Sequence, residues 1–359
     1  MKAVLYFSEK QAVLTVAEAG VNGAFVVREQ SRSDYSGFAG DEFAQPTEIG
    51  LVFSELFSAI SRETISKIRS VSIATPAALC DLICDDISIA VKGRRVTQAD
   101  MQNLLDSVAL SVGTNVIISR TAIFYRVDDG VACIDPKGQI GQRLTARVSI
   151  ISIPHSFIDL LKSNLASIVP NAEFVAIPLA AALYLIGQSE RDKTVALISS
   201  EKTGTSISIV SGDGIVANQV VDMGYENLIS DICIVKDIES DLARELLTHV
   251  VLGFTEDGKY EFVFNGRPES FDAQETNEII TARLEVIVES LLRTINQMDS
   301  SILDSKIYFF GYLNQIKGCR NYISRELGSV VIPLVCPLLN MHDTEDLVIS
   351  SVLNFVLFR

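Results

Sequence analysis

The sequence is poor in basic residues, in histidine and in paired cysteines, and it contains no long uninterrupted apolar run. Thirty Lys and Arg stand against 45 Asp and Glu, a net charge of −15. Without a basic surplus the chain lacks the surface that neutralises phosphates, so nucleic acid is not expected as a partner. The longest apolar run, Phe174–Ile186, carries Pro178 and falls short of the roughly 20 residues that span a bilayer. The start, MKAVLYFSEK, has no secretory pattern. His155, His249 and His342 stand far apart, and a lone imidazole with no local partner reads as structural. Of Cys80, Cys84, Cys133, Cys233, Cys319 and Cys336 only the first two are near each other, with no second pair to complete a metal site; they read as thiols of a cytosolic protein. No metal site, nucleophile or catalytic base is expected. No Pro-, Gly-, Ser- or charge-rich tract marks a disordered linker.

What is present describes a well-folded α/β chain. At 359 residues, 48% hydrophobic and 21% charged, it exceeds one ordinary core, so two domains or one with insertions are expected. The organising stretch is Thr194 to Ile232: a strand, a short polar loop, a strand, a Gly212-Asp213-Gly214 turn, a third strand, and a helix opening after Gly224. Ile207 and Ile209 alternate with Ser206 and Ser208 at the period of a strand, and the small residues at 211–214 suit a hairpin. A strand-loop-strand of this kind resembles the phosphate-wrapping hairpin of actin-like folds. Its loop, Ser199, Ser200, Glu201, Lys202, Thr203, Gly204 and Thr205, lacks the aspartate and most of the glycines such a loop carries.

The N-terminus repeats the plan: KAVLYF and QAVLTVAEA flank Ser8-Glu9-Lys10, and GAFVVRE follows Val21-Asn22-Gly23. Ser31–Pro46 is polar and reads as a surface loop. Ile49, Val52, Phe53, Leu56, Phe57 and Ile60 form one helical face ending near Arg62, and Ile68–Ala74 is a buried strand. A compact α+β insert then covers 77–154. It holds a strand Ile83–Val91, and a helix capped by Thr97 with Asp100 three residues on. That helix continues through Met101, Leu104, Leu105, Val108 and Val112, before strands Thr121–Val127 and Arg143–Ile153. A helix Ser156–Ile168, a strand Glu173–Ala176 and a small-residue helix from Pro178 lead into the central hairpin. Beyond it, Asp237–Asn277 reads as a polar cap. The long helix from Glu278 carries Ile280, Leu284, Ile287, Leu291, Ile295 and Met298 on one stripe. A strand Lys306–Phe310 broken by Gly311, a helix Asn314–Leu327 closed by Gly328, and an apolar element Ile349–Phe358 complete the chain.

Within the insert, Val96-Thr97-Gln98-Ala99-Asp100, Tyr125-Arg126-Val127-Asp128-Asp129-Gly130, Asp135-Pro136-Lys137-Gly138 and Gly141-Gln142-Arg143-Leu144-Thr145-Ala146 form an ordered series of motifs. Pro178-Leu179-Ala180, Gly224 with Asp231-Ile232, and Ile279-Ile280-x-x-Arg283 extend it. In this order and spacing the chain resembles the bacterial cell-division family FtsA, of the actin-like superfamily, over essentially its whole length. The resemblance implies an α/β, actin-like (ribonuclease H-like) two-lobed fold with an FtsA-type 1C α+β insert. Subdomain 1A would take 1–76, 155–190 and 341–359; 1C, 77–154; 2A, 191–233 and 301–340; and 2B, 234–300. It further implies a cytoplasmic scaffold at the inner face of the cytoplasmic membrane. Such a scaffold binds the FtsZ C-terminal peptide through 234–300, self-associates into filaments or dimers through the insert, and meets membrane-bound divisome proteins. The family usually ends in an amphipathic membrane helix. None follows Leu357-Phe358-Arg359, so either the chain is trimmed or attachment goes through a partner.

The departures from the family fall on the nucleotide loops. The resemblance places ATP and Mg2+ against Ser8, Lys10, Lys202, Thr203, Gly204, Thr205, Gly224, Arg283, Gly311 and Tyr312. Yet Tyr6-Phe7-Ser8-Glu9-Lys10 stands where the family has an Asp-x-Gly turn. Ser199 replaces an aspartate and Glu201 a glycine, and Tyr225 and Tyr312 follow single glycines where the family pairs them. Glycines let backbone N–H groups close on a phosphate, whereas Glu9 and Glu201 set negative charge beside a polyanion. Mg2+ needs the missing carboxylates in near-octahedral geometry. Weak ATP binding or none, and no hydrolysis, is therefore expected. Two alternatives stay open. One is a pilus assembly protein of the PilM type, holding a membrane partner's peptide in a cleft beside the insert. The other is an active actin-like ATPase in which Glu9 or Glu201 serves as metal partner.

Overall fold

The computed structural model describes residues 1–359 apart from 9, 40, 41, 110, 254–257, 299, 336–343 and 359. Glu9, Cys336, His342 and Arg359 thus lie outside the described residues. The chain forms two units: Met1–Thr194 with Ile209–Asn218 and Leu338–Arg359, and Val195–Ser208 with Gln219–Pro337.

The first unit is built on a five-stranded sheet in the order Ala172–Ala176, Val71–Thr75, Lys2–Phe7, Gln11–Ala19, Phe25–Asp34. The first three strands run parallel, and the last two return as antiparallel hairpins. Leu5, Leu14 and Ile73 share a core with Ile49, Phe53 and Leu56 of helix Ile49–Ser58 and with Phe157 and Leu161 of helix His155–Leu165. Helix Thr344–Phe358 packs on strands of the same sheet and on helix Ile177–Leu185. With both faces covered, the middle strands read as continuous apolar runs rather than alternating ones. Among the described residues no helix is long and apolar enough to cross a membrane; Ile177–Leu185, inside the longest apolar run, is largely buried.

The expected loop Ser31–Pro46 starts instead as strand. Phe25–Asp34 continues through Ser31 and Ser33, both buried, because each hydroxyl finds an acceptor: Ser31 Oγ the Leu56 carbonyl at 2.8 Å, and Ser33 Oγ the Glu55 carboxylate at 2.6 Å. Short strands Phe38–Ala39 and Glu42–Phe43 follow. The helix expected to end near Arg62 stops at Ser58, and Ser61 caps a separate helix, Arg62–Lys67, by accepting the Thr64 N–H at 3.3 Å.

The insert is an antiparallel sheet, Asp81–Arg95, Ile140–Pro154, Asn115–Val127 and Ser111–Val112, carrying helix Gln98–Asp106. Thr97 and Asp100 form the expected capping box: Thr97 Oγ1 accepts the Asp100 N–H at 3.3 Å and Asp100 Oδ2 accepts the Thr97 N–H at 2.9 Å. Arg94 grips the same carboxylate, which it and Thr97 hold well below the usual range. Asp128, at φ +50°, accepts the N–H groups of Gln142 at 3.0 Å and Arg143 at 2.8 Å. Gly141 lies so close to this turn that a Cβ there would fall 2.2 Å from Val127 Cγ1. The helix ends at Asp106, where Ser107 Oγ turns back to the Leu104 carbonyl at 2.6 Å. Val112 therefore belongs to a strand and not to the helical stripe.

The second unit's sheet has the order Gly214–Val221, Thr205–Ser211, Val195–Ser200, Ile307–Gly311, Val331–Pro333, the last three parallel. Ser206 and Ser208 are as buried as Ile207 and Ile209, so the period-two pattern here does not mark a wetted face. Helix Ala273–Met298 buries Ile280, Leu284, Ile287, Leu291 and Ile295, and packs on helices Tyr225–Lys236 and Cys319–Leu327. The polar segment forms helix Ser240–His249 and the hairpin Lys259–Phe264/Arg267–Asp272. The expected helix Asn314–Leu327 is split: Tyr312–Gln315 makes a short 3-10 turn and the α-helix starts only at Cys319. Gly318 causes the break, at φ +85° and with the Leu252 carbonyl oxygen 2.2 Å from where a Cβ would sit.

The tip of the central hairpin, Ile209–Asn218, belongs to the first unit. Arg191, 4% exposed, holds it there. Its Nε donates to the Gly212 carbonyl at 3.0 Å, Nη2 to Asp213 at 2.8 Å, and Nη1 to the Ile186 carbonyl. Ser149 Oγ adds a bond to the Ile215 carbonyl at 2.6 Å. Removing the guanidinium takes bonds from the Gly212 and Ile186 carbonyls and from the Asp213 carboxylate at once. Arg191→Met is expected to cost about 3 kcal/mol, read from the urea midpoint of the full chain.

Candidate functional site

The first loop closes on itself. Ser8 is 5% exposed, and its N–H and Oγ both donate to the Gln11 carbonyl, at 2.8 and 3.0 Å, while its own carbonyl accepts the Tyr35 hydroxyl. Lys10 is exposed, and its carbonyl accepts the Tyr35 N–H at 3.0 Å. The amide and hydroxyl of Ser8 are thus engaged with the chain itself.

In the second unit the loop after strand Val195–Ser200 is a tight turn, with the Glu201 N–H on the Gly204 carbonyl at 2.8 Å. Helix Tyr225–Lys236 begins directly against it. The Tyr225 N–H donates to the Glu201 carbonyl at 3.2 Å and the Glu226 N–H to the Lys202 carbonyl at 2.8 Å, while the Gly224 N–H goes to Asn227 Oδ1 at 2.8 Å. The approach requires glycine at 224, where a Cβ would lie 2.6 Å from both loop carbonyl oxygens. Thr205 Oγ1 donates to the Met223 carbonyl at 2.8 Å; Thr203 is exposed.

Gly311 ends the neighbouring parallel strand at φ +110°, with the Ser200 carbonyl oxygen 2.0 Å from the position of a Cβ. Ser200 Oγ accepts the Leu313 N–H at 2.8 Å, which anchors the turn that carries Tyr312. The Tyr312 ring lies 5.6 Å from that of Tyr225, and the Lys202 ammonium 5.4 Å over the Tyr312 ring. Arg283, on the long helix, is held in a fork by Asp231, Nε to Oδ2 at 2.6 Å and Nη2 to Oδ1 at 2.8 Å.

Lys202, Gly204, Thr205, Gly224, Gly311 and Tyr312 therefore gather around the carboxyl ends of two parallel strands, while Arg283 is engaged by Asp231, and Ser8 and Lys10 lie in the first unit. Tyr225, Ser200 and Asn227 also build this cluster and are absent from the sequence-based set. Tyr225 had a signal: like Tyr312, it follows a glycine where a second glycine was expected. Glu201 is half-buried, and burial pushes its carboxyl up to about 7. Among the described residues no three His, Cys, Asp or Glu side chains are grouped to hold a metal ion.

Residues 81–152 match the model of the SHS2 domain inserted in FtsA. The chain is 22% identical over 302 residues to the cell division protein FtsA of Enterococcus hirae, covering 81% of this chain and 67% of that protein. It is 23% identical over 221 residues to FtsA of Bacillus subtilis, covering 59% and 50%. The chain thus spans between half and about two thirds of these relatives' length. Among solved structures, a chain of the PilM–PilN type IV pilus biogenesis complex superposes with a TM-score of 0.65 at 11% identity over 98% of both chains. MreB5 of Spiroplasma citri bound to AMPPNP does so at 0.58 and 10% identity, over 99% and 95%. The fold is that of the actin-like proteins, an α/β architecture with an insert of the FtsA type. Within that fold the sequence is similar to that of FtsA proteins.

Gly311→Ala meets both a left-handed backbone and a backbone oxygen in its path, and a loss of about 3 kcal/mol is expected in thermal or urea unfolding. Glu201 carries a pH signature. With its pKa raised from 4.5 to about 7, the folded state holds a proton that the unfolded state releases. Its contribution to stability is complete below pH 4.5 and is lost as pH rises to about 7. Glu201→Gln is expected to abolish that loss, so the stability difference between variant and parent should grow in the variant's favour across this window and stay flat above it. A difference that does not change with pH would contradict the assignment.

Proposed function

We propose that this chain is a bacterial cell-division scaffold that works by holding partners rather than by turning over ATP. The observation that carries the reading is the FtsA-type insert at 81–152, set in a chain with FtsA similarity over 81% of its length. In this reading the cap, residues 234–300, binds the FtsZ C-terminal peptide. The insert supports self-association, and contacts with membrane-bound division proteins bring the cytokinetic ring to the inner face of the cytoplasmic membrane.

Mg-ATP does not fit the residues present. The Ser8 donors close on Gln11, the helix donors of Tyr225 and Glu226 close on the second loop, and Glu201 offers an acidic side chain rather than the positive charge a polyphosphate would need. The solved MreB5 has AMPPNP bound; this chain, by the present reading, has kept the fold without the cofactor.

A second reading, an assembly scaffold of the PilM kind, is supported by the superposition over 98% of both chains. Fluorescence anisotropy of a labelled FtsZ C-terminal peptide titrated with the full chain decides between them. Saturable binding that is lost when the 234–300 surface is altered is expected. No binding of that peptide, together with no localisation to the division site, would remove the cell-division reading, and saturable binding of a membrane partner's N-terminal peptide would then favour the second.

A further inference from the structure

We propose that the crevice beyond the carboxyl ends of strands Val195–Ser200 and Ile307–Gly311 is filled by the chain's own Tyr225, Tyr312 and Lys202, and that these three side chains exclude a nucleoside from it. The proposal deepens the scaffold reading and rests on it. In α/β sheets ligands enter outside the carboxyl ends of parallel strands, and these two strands run parallel with Ser200 beside Gly311. The Tyr225 and Tyr312 rings and the Lys202 ammonium meet at that point.

Tyr312 follows Gly311 and Tyr225 follows Gly224, so each ring springs from the position just after a close backbone approach. The rings lie 5.6 Å apart at 37°, the separation of a packed aromatic pair. The Lys202 ammonium stands 5.4 Å over Tyr312, at cation–π distance. A flat ring beneath a cation is the chemistry a base and a basic side chain would share; here the protein supplies both halves. The polar side is closed independently. A helix start attracts anions through free N–H groups, but those of Gly224, Tyr225 and Glu226 already donate to Asn227, Glu201 and Lys202. Rings take the aromatic compartment and loop carbonyls take the anion donors, so two parts of one ligand are excluded by two different devices.

Adenosine, which carries no phosphate, reads the aromatic compartment alone. In calorimetric titrations of the full chain, no saturable binding is expected for the unmodified protein up to about 1 mM, a Kd at which little binding energy is available. The double variant Tyr225→Gly, Tyr312→Gly is expected to bind at least about tenfold more tightly. Circular dichroism establishes that it is folded. Should it not fold, Tyr225→Ala, Tyr312→Ala and Lys202→Ala are measured singly, each with a smaller gain expected. Adenosine binding by the unmodified chain, or none by any folded variant, overturns the proposal. A parallel titration with Mg-ATP separates the two readings. Tight binding by the unmodified chain defeats the cofactor-free scaffold itself, whereas no Mg-ATP binding together with no gain of adenosine binding defeats only the role of these three residues.

Discussion

The second unit depends on a helix start whose N–H groups point into a loop. Tyr225 and Glu226 donate to the carbonyls of Glu201 and Lys202, and Gly224 supplies the space for it. The exchange satisfies both partners at once: the helix loses its orphan donors and the loop its orphan acceptors. Much else follows from that geometry. It sets where Lys202 leaves the loop, where Tyr225 leaves the helix, and how closely Gly204 approaches Gly224. On the adjoining strand Gly311 answers with its own close contact to Ser200, so that three backbone segments meet with almost no side-chain volume between them.

The insert owes its recognisability to the same kind of constraint. Its motif residues are those that cannot be exchanged locally. Asp100 is shared by a cap and by Arg94, Asp128 accepts two backbone N–H groups from the next strand, and Gly141 sits where any Cβ would strike Val127. These are turn and cap requirements that act over a few residues, so they can be read in a short string of letters even where identity to the relatives is 22–23% over the aligned stretches.

Most of the architecture was legible for that reason. The hairpin strands, the capping box, the long helix stripe and Gly328 as a helix stop all rest on local periodicity or local backbone needs. What failed was exposure inferred from polarity. Ser31 and Ser33 lie inside because Leu56 and Glu55 accept their hydroxyls. The split at Gly318 depends on the Leu252 carbonyl, a contact no local pattern announces. For the candidate site, substitution of glycine by tyrosine was visible, but not that the two rings meet, since Tyr225 and Tyr312 come from different elements.

The first unit is not a continuous piece of chain, and this bears on how it is made. Its sheet is covered by helix Thr344–Phe358, Arg32 pairs with Glu345 across 313 positions, and Arg191 waits for Gly212 and Asp213 of the hairpin tip. Segments of such high sequence separation assemble slowly, because the loops between them must close before any contact rewards them. On the ribosome the N-terminal strands therefore emerge long before their covering helix exists. Completion of this unit waits for the hairpin tip and for that helix, and until they emerge the nascent chain carries an unfinished apolar face.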